Sequence, residues 1–294
     1  MKMPPPFEYD EFTKRNLGFL TADQQKKLAG ATVFICGAGG MGGACIMSLA
    51  RAGVGNLIIA DLDGFEVSNL NRQLFATLET IDQHKAEATK EACLKINPRI
   101  NVEVYHRDWP EHIDLILQKS DVIINGCDDL SGSLLLYRKA RIHGKTIIDA
   151  YASPLPSVYV TAPGDQTPEE RLGYPTLTTE WNALSEEQRT QSFLREAEHI
   201  VLHSSSRHYV DLQMAGEVAT GTRSRMSFAP MVITTGMLMS YEAFAVILAQ
   251  PSAVDCKGYF FNPYKACIER PKPDWLAILL RPLVRRFLNK VLGA

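Results

Sequence analysis

Short apolar runs punctuate the first half of the chain at intervals filled by amphipathic stretches. ATVFIC (31–36), NLIIAD (56–61), DVIING (121–126) and KTIIDA (145–150) are nearly unbroken hydrophobic runs that stop at Gly or Asp. Runs of that length, rich in Val and Ile, predict strands buried on both faces. NVEVYHR (101–107) alternates apolar and polar residues as a half-covered strand does, and SVYVTAP (157–163) predicts one more. Between them lie helical patterns. CIMSLARAG ends at Gly53, HKAEATKEACLKIN is stopped by Pro98, EHIDLILQK is short, and a further helix covers about 131–143. Upstream, Thr21 to Gln24 forms a capping box that opens a polar helix ending at Gly30. Strands alternating with helices predict an α/β fold, a doubly wound Rossmann-like, mostly parallel sheet with helices on both faces. On this reading 1–30 is a helical arm and 31–163 the Rossmann-like core.

The alternation breaks near 164. Residues 164–184 mix Gly, Pro, Thr and Asp as loops do, Ser185 to Gln188 is a second capping box opening a charged helix to about His203, and 204–227 is polar. This 164–227 crossover is too long for a plain connection and is expected to sit over the site and help select the substrate. Met226 to Ala249 is an apolar helix, and YFFNPYKACIE two strands around an Asn-Pro turn, so 228–273 completes the core. The stretch Met226–Tyr241 is uncharged but carries Pro230, Thr234, Thr235 and Ser240, and it is too short for a membrane span; it is expected to be a buried helix. The remaining 274–294 is a basic amphipathic tail.

Charge narrows the partners. Among 294 residues, 31 Lys and Arg against 33 Asp and Glu leave a net charge of −2, so nucleic acid is not expected as a primary partner. The six cysteines include no Cys-x-x-Cys pair and fall mostly in apolar segments, which fits buried thiols in a reducing, cytoplasmic setting. The opening MKMPPPFEYDEF has prolines and acids where a signal peptide needs an apolar core.

Candidate chemistry begins at Gly37-x-Gly39-Gly40-x-Gly42, between a predicted strand and a predicted helix. Glycines there let a phosphate approach the backbone, and the helix start offers free N–H groups. Asp61 ends the next strand about twenty residues on, where a carboxylate meets ribose hydroxyls. No Gly-Lys-Ser/Thr follows, which excludes a Walker-type loop. The motif alone fits a dinucleotide as well as ATP, and an NAD-dependent oxidoreductase stays open on it. The next segment, Asp61-Leu-Asp63 through Asn69, Arg72 and Gln73, and then Lys85, favours ATP. Attack by a carboxylate on the α-phosphate builds charge on phosphoryl oxygens, which Arg72 as a bidentate donor and Lys85 as a point charge would neutralise. Asp128, after DVIING, stands at a carboxyl edge of the sheet and suits a Mg²⁺ bridging phosphates.

These segments together, GAGGMGG, LIIADLDGFEVSNLNRQ, HKAEA and NGCDD, resemble the ThiF-type adenylyltransferases, the superfamily of ubiquitin-activating enzymes and of the activators of molybdopterin and thiamine sulfur carriers. The likeness runs over about 12–150 and returns more weakly over 226–270. It implies ATP and Mg as cofactors, with Gly37, Gly39, Gly40, Gly42, Asp61, Asp63, Asn69, Arg72, Gln73 and Lys85 around the nucleotide and Asp128 near the metal. It implies that Arg15 enters the neighbouring subunit's site in a homodimer. The substrate it implies is a small ubiquitin-like or sulfur-carrier protein, activated at its C-terminal glycine. The chain departs from the pattern in two ways: it has no pairs of Cys-x-x-Cys for zinc, and no cysteine between 128 and 255 to form a thioester. An acyl-adenylate passed to a separate nucleophile is therefore the expected product. A peptide or modified nucleoside is the alternative substrate.

Three weaker signals remain. His199, His203 and His208 are expected to be surface histidines rather than a metal site. Cys256 and Cys267 flank the late strands. In the tail, Arg281, Arg285, Arg286 and Lys290 fall on one helical face with Leu283, Phe287 and Val291 opposite, and Pro282 suits a first helical turn. Such a helix is expected to pack on its own or the dimer mate's core, with contact to an anionic membrane surface or a docking partner as the alternative.

Overall fold

The computed structural model describes residues 6–292; the outermost ends of the expected arm and tail lie outside that range. Eight strands form a single sheet: β1 (Thr32–Cys36), β2 (Asn56–Ala60), β3 (Asn101–Tyr105), β4 (Val122–Asn125), β5 (Ile147–Asp149), β6 (Ser157–Thr161), β7 (Tyr259–Asn262) and β8 (Cys267–Glu269). Their order is β3-β2-β1-β4-β5-β6-β7-β8, parallel from β3 to β5 and antiparallel beyond. The helices are α1 (Tyr9–Thr13), α2 (Ala22–Gly30), α3 (Gly40–Ala52), α4 (Lys85–Ile96), α5 (Ile113–Lys119) and α6 (Leu130–Ile142). After β6 come α7 (Pro168–Leu172), α8 (Glu186–His203), α9 (Leu212–Ala219), α10 (Ala229–Ile247) and, last, α11 (Asp274–Leu292).

The apolar runs are continuous because both faces of the parallel strands are covered. On one face Val33, Ile35, Leu57, Ile59, Val122 and Ile124 pack with Ile46 and Leu49 of α3, Cys93 of α4 and Met239 of α10. On the other, Phe34, Ile58 and Ile123 meet Ile116 and Leu117 of α5 and Leu136 of α6. The apolar helix α10 is a core element: Val232, Thr235, Gly236 and Met239 are buried against α3 and the sheet. It is long and apolar enough to cross a membrane, yet its small residues serve close packing. A Cβ at Gly236 would stand 2.4 Å from the Met41 carbonyl oxygen.

Several expectations need correction. The crossover is not loop on both sides of α8. It holds α7, opened by a Thr167–Glu170 capping box with Pro168 in the first turn, and α9, capped by Asp211. The apolar helix starts at Ala229 rather than Met226. Pro282 lies inside α11, two turns from its start, not in the first turn. It sits on the exposed side, where the carbonyl it leaves unbonded faces water.

The tail's faces also differ from the expected ones. Ala277 and Val284 are buried against Leu202 of α8, with Leu280 and Leu288 beside them. Arg281 and Arg285 turn inward to Glu198, whereas Trp275, Ile278, Leu279 and Leu283 are exposed. Packing against α8 selects a face that the charge pattern alone does not reveal.

Candidate active site

The strands β1, β2 and β4 end side by side. Cys36 pairs in register with Ala60 and with Asn125, so the turns that follow all open on the same sheet edge. Gly37 N–H donates to the Ala60 carbonyl at 2.7 Å, and Gly126 N–H to that of Cys36 at 2.7 Å. Strand order reverses between β1 and β4, the place where open α/β sheets bind ligands.

The glycines of the loop have different causes. Gly37 is at φ +96°, and a Cβ there would lie 2.4 Å from the Gly126 carbonyl oxygen. At Gly42 a Cβ would stand 1.8 Å from the Gly37 oxygen, so this glycine closes the turn itself. A Cβ at Gly40 would meet Val232 of α10 at 2.4 Å, so its absence lets α10 pack on α3. Gly39 is the N-cap of α3 and gives that helix no side-chain cap. The first N–H groups of α3 and its positive dipole end therefore stay available to an anion.

Asp61 follows β2 and is buried. Its Oδ2 accepts from Ala38 N–H at 2.7 Å and its Oδ1 from Asp63 N–H at 3.0 Å, so the carboxylate braces the glycine loop. Each oxygen keeps a lone pair for a further donor. Gln73 is buried against the loop, its Nε2 within 3.6 Å of where a Gly39 Cβ would be, and its Oε1 has no hydrogen-bond partner among the described residues. Lys85 is buried at the start of α4, its Nζ 3.0 Å from Asp63 Oδ2. Arg72 is half-exposed beside the start of α3: its Cγ lies 3.9 Å from the position a Gly40 Cβ would take. Its Nη1 donates to Ser68 O at 2.9 Å and Asn71 Oδ1 at 2.8 Å. Asn69 is buried, its Oδ1 accepting from Glu66 N–H at 3.1 Å, and it shapes the turn that carries Arg72.

Asp128 is exposed just past β4. Its neighbour Asp129 is committed elsewhere, capping α6 through Gly132 N–H at 2.8 Å and pairing with Arg189 at 3.1 Å. No cluster of three metal-ligating side chains exists among the described residues. Asp128 thus suits a Mg²⁺ held mainly by phosphate oxygens, with one protein carboxylate. Arg15 lies in the 3-10 turn Lys14–Asn16, exposed and next to exposed Leu17 and Phe19.

Two residues went unsuspected. His84 and His106 stand edge to face with ring nitrogens 2.8 Å apart beside the Asp61–Asp63 segment. Burial, and then the neighbouring His106, pushes the His84 pKa down. His84 directly precedes Lys85, and that adjacency was the available signal. His199 also departs from expectation. It is 6% exposed rather than on the surface, and burial, then Arg171 and His203, holds its pKa well below the ordinary range.

The ThiF family model matches residues 13–273. Among curated proteins, the adenylyltransferase and sulfurtransferase UBA4 of Debaryomyces hansenii is 35% identical over 125 residues, 42% of this chain and 28% of its own length. The sulfur carrier protein ThiS adenylyltransferase of Escherichia coli is 34% identical over 113 residues, 38% of this chain and 45% of its own. The chain thus spans less than half the length of these relatives. Among solved structures, E. coli MccB with ATP superposes with a TM-score of 0.62 at 18% identity, over 92% of this chain and 75% of that one. PaaA does so with 0.62 at 18%, over 92% and 86%. At that identity the likeness establishes the fold.

Proposed function

The chain belongs to the ThiF family, and on that premise we propose that it is an ATP- and Mg-dependent adenylyltransferase that activates a carboxylate. The observation that carries the reading is the meeting, on one sheet edge, of an uncapped helix start, the buried Asp61 and Lys85, and the exposed Asp128.

In the proposed reaction a carboxylate oxygen of the substrate attacks the α-phosphorus of ATP. The acyl–O–P bond forms, the bond from the α-phosphorus to the bridging oxygen breaks, and pyrophosphate leaves with that electron pair. The first N–H groups of α3 hold phosphate oxygens, and Asp61 accepts from ribose hydroxyls. Arg72, steered by Ser68 and Asn71, neutralises charge on the phosphoryl oxygens as it builds. Lys85 exchanges Asp63 for phosphate oxygen, keeping its charge buried and paired. Magnesium, when bound with Asp128 as its protein ligand, supplies further neutralisation of the leaving pyrophosphate.

The curated relatives named for sulfur carriers support a small ubiquitin-like or sulfur-carrier protein as substrate, activated at its C-terminal glycine. A peptide is the second reading. It is favoured by the lack of any cysteine between 128 and 255 and by the likeness to MccB, which has been solved in complex with N-formylated MccA. A cytoplasmic homodimer with Arg15 crossing to the partner's cleft completes the proposal, supported by the exposed Leu17 and Phe19 beside it. The outward apolar stripe of α11 is the surface a membrane contact would use, and sedimentation of the full chain with anionic liposomes tests that contact.

Pyrophosphate exchange into ATP, driven by a candidate carrier or peptide, tests the chemistry. Loss of roughly a hundredfold or more in Arg72→Ala and Asp128→Ala is expected. Exchange that survives both changes overturns the site. Intact acyl-adenylate seen by mass spectrometry with carrier or with peptide decides between the substrates.

A further inference from the structure

A second concave site lies away from the nucleotide cleft, where α7, α8 and α11 meet. It encloses about 240 Å³ and is lined chiefly by charged side chains. Four arginines face it, Arg171, Arg195, Arg281 and Arg285. Against them stands one buried acid, Glu198, which accepts from Arg285 Nε at 2.8 Å and Arg281 Nε at 2.9 Å, with Arg195 at 3.6 Å. The other acid at the rim, Glu170, is already neutralised by a two-pronged bridge to Arg141. Arg171 has no carboxylate partner among the described residues; its Nη2 donates to Tyr151 Oη at 2.8 Å and its Nε is buried and unpaired. The cavity is therefore strongly positive.

The histidines add donors rather than charge. His203 accepts from Lys272 N–H at its Nδ1, and burial together with the Lys272 and arginine charges lowers its pKa to about 4. At neutral pH its ring proton therefore sits on Nε2. His199, packed among Tyr151, Tyr159 and Phe260, is more than nine-tenths buried, and its Nε2 has no partner. Arg171 Nε and His199 Nε2, on two residues that line the cavity, are enclosed and without partners among the described residues, and buried polar groups left so are rare. An anion seated in the cavity would offset the guanidinium excess.

We propose that this cavity binds a phosphoryl anion, held by the guanidiniums of Arg171, Arg195, Arg281 and Arg285 beside the ring of His199. A single carboxylate would leave most of that positive charge uncompensated, whereas a phosphate or pyrophosphate carries two or more charges and enough oxygens for several forked donors. The volume lies below the roughly 300–1,000 Å³ of drug-sized ligand pockets, which limits the occupant to inorganic phosphate, pyrophosphate or the phosphate end of a small molecule. Because Glu198 and two of the arginines join α8 to α11, an occupant would also clamp the tail helix onto the crossover. This site stands independently of the adenylation reading.

The test is calorimetric titration of the full chain carrying Arg72→Ala, which weakens anion binding in the nucleotide cleft, with phosphate and with pyrophosphate at neutral pH and fixed ionic strength. Saturable one-to-one binding is expected, weakened at least about tenfold by adding Arg171→Gln or Arg195→Gln, with acetate giving none. Should those variants fold poorly, histidine nitrogen NMR on the chain with native arginines decides instead. Phosphate should shift one ring resonance, assigned by its loss in His199→Gln. No saturable heat, binding indifferent to both arginine changes, or an unmoved His199 resonance would overturn the proposal and leave the cavity to water.

Discussion

The Lys85 ammonium and the Asp63 carboxylate stand 3.0 Å apart, the lysine buried and the aspartate open to solvent. The lysine heads α4, where the helix dipole disfavours a cation, so the aspartate is what keeps its charge in place. A triphosphate competes with Asp63 for that charge. Lys85→Ala is expected to weaken ATP binding about tenfold or more, whereas Asp63→Asn, which leaves the lysine free, tightens it a few-fold. Calorimetric ATP titration of the two variants measures both signs.

The packing of α10 on α3 requires a glycine at position 40. Adding a methyl group there drives it into Val232 at 2.4 Å, and valine has few rotamers into which to retreat. Gly40→Ala should cost about 1–3 kcal/mol in denaturant unfolding. Val232→Ala alone removes buried apolar volume and also destabilises, but the double variant should be less unstable than the sum of the two. A simple sum would show that the two positions are not coupled.

If Arg15 completes the partner's site, activity can be restored by mixing. Arg15→Ala and Arg72→Ala homodimers are each expected to be nearly inactive in pyrophosphate exchange. After the subunits exchange, a heterodimer places both defects in one cleft and leaves the other intact, so about a quarter of native activity should return, from half of the dimers with one site each. Mixtures that stay inactive would show that Arg15 serves its own subunit.

The partly buried Glu196 carboxyl accepts from the Tyr174 hydroxyl at 2.7 Å, and burial pushes its pKa up to about 7. A carboxyl whose pKa is higher in the folded state binds its proton more tightly there than in the unfolded chain. Its contribution to stability is thus most favourable below the unfolded value and falls as pH rises towards 7. Glu196→Gln keeps an acceptor for Tyr174 without the charge. Urea unfolding between pH 5 and 8 should show a smaller loss of stability in the variant than in the native chain, with the variant the more stable at pH 8.

The buried strands, the glycine turn and the helix that follows it were legible in the chain because their signals are local. A run such as NLIIA is apolar on both sides of its own pleat, and Gly37 takes a positive φ that its own lack of a side chain permits. SNLNRQ and HKAEA were legible as motifs, and so was the family. The short helices α7 and α9 were hidden by loop-like composition, although Thr167, Pro168 and Glu170 spelled out a start.

By itself, then, the sequence determined the alternation of strands and helices and the glycine turn between the first strand and its helix, since each follows from periodicity or from chemistry carried by neighbouring positions. Only the tertiary structure decided that Gly40 is required by Val232, that His199 is enclosed by Tyr151 and Phe260, and that Arg281 and Arg285 turn inward to Glu198. Those facts depend on contacts between segments far apart in the chain. Burial and charge pairing are properties of what surrounds a side chain, and a linear pattern records a residue's neighbours in sequence but not in space.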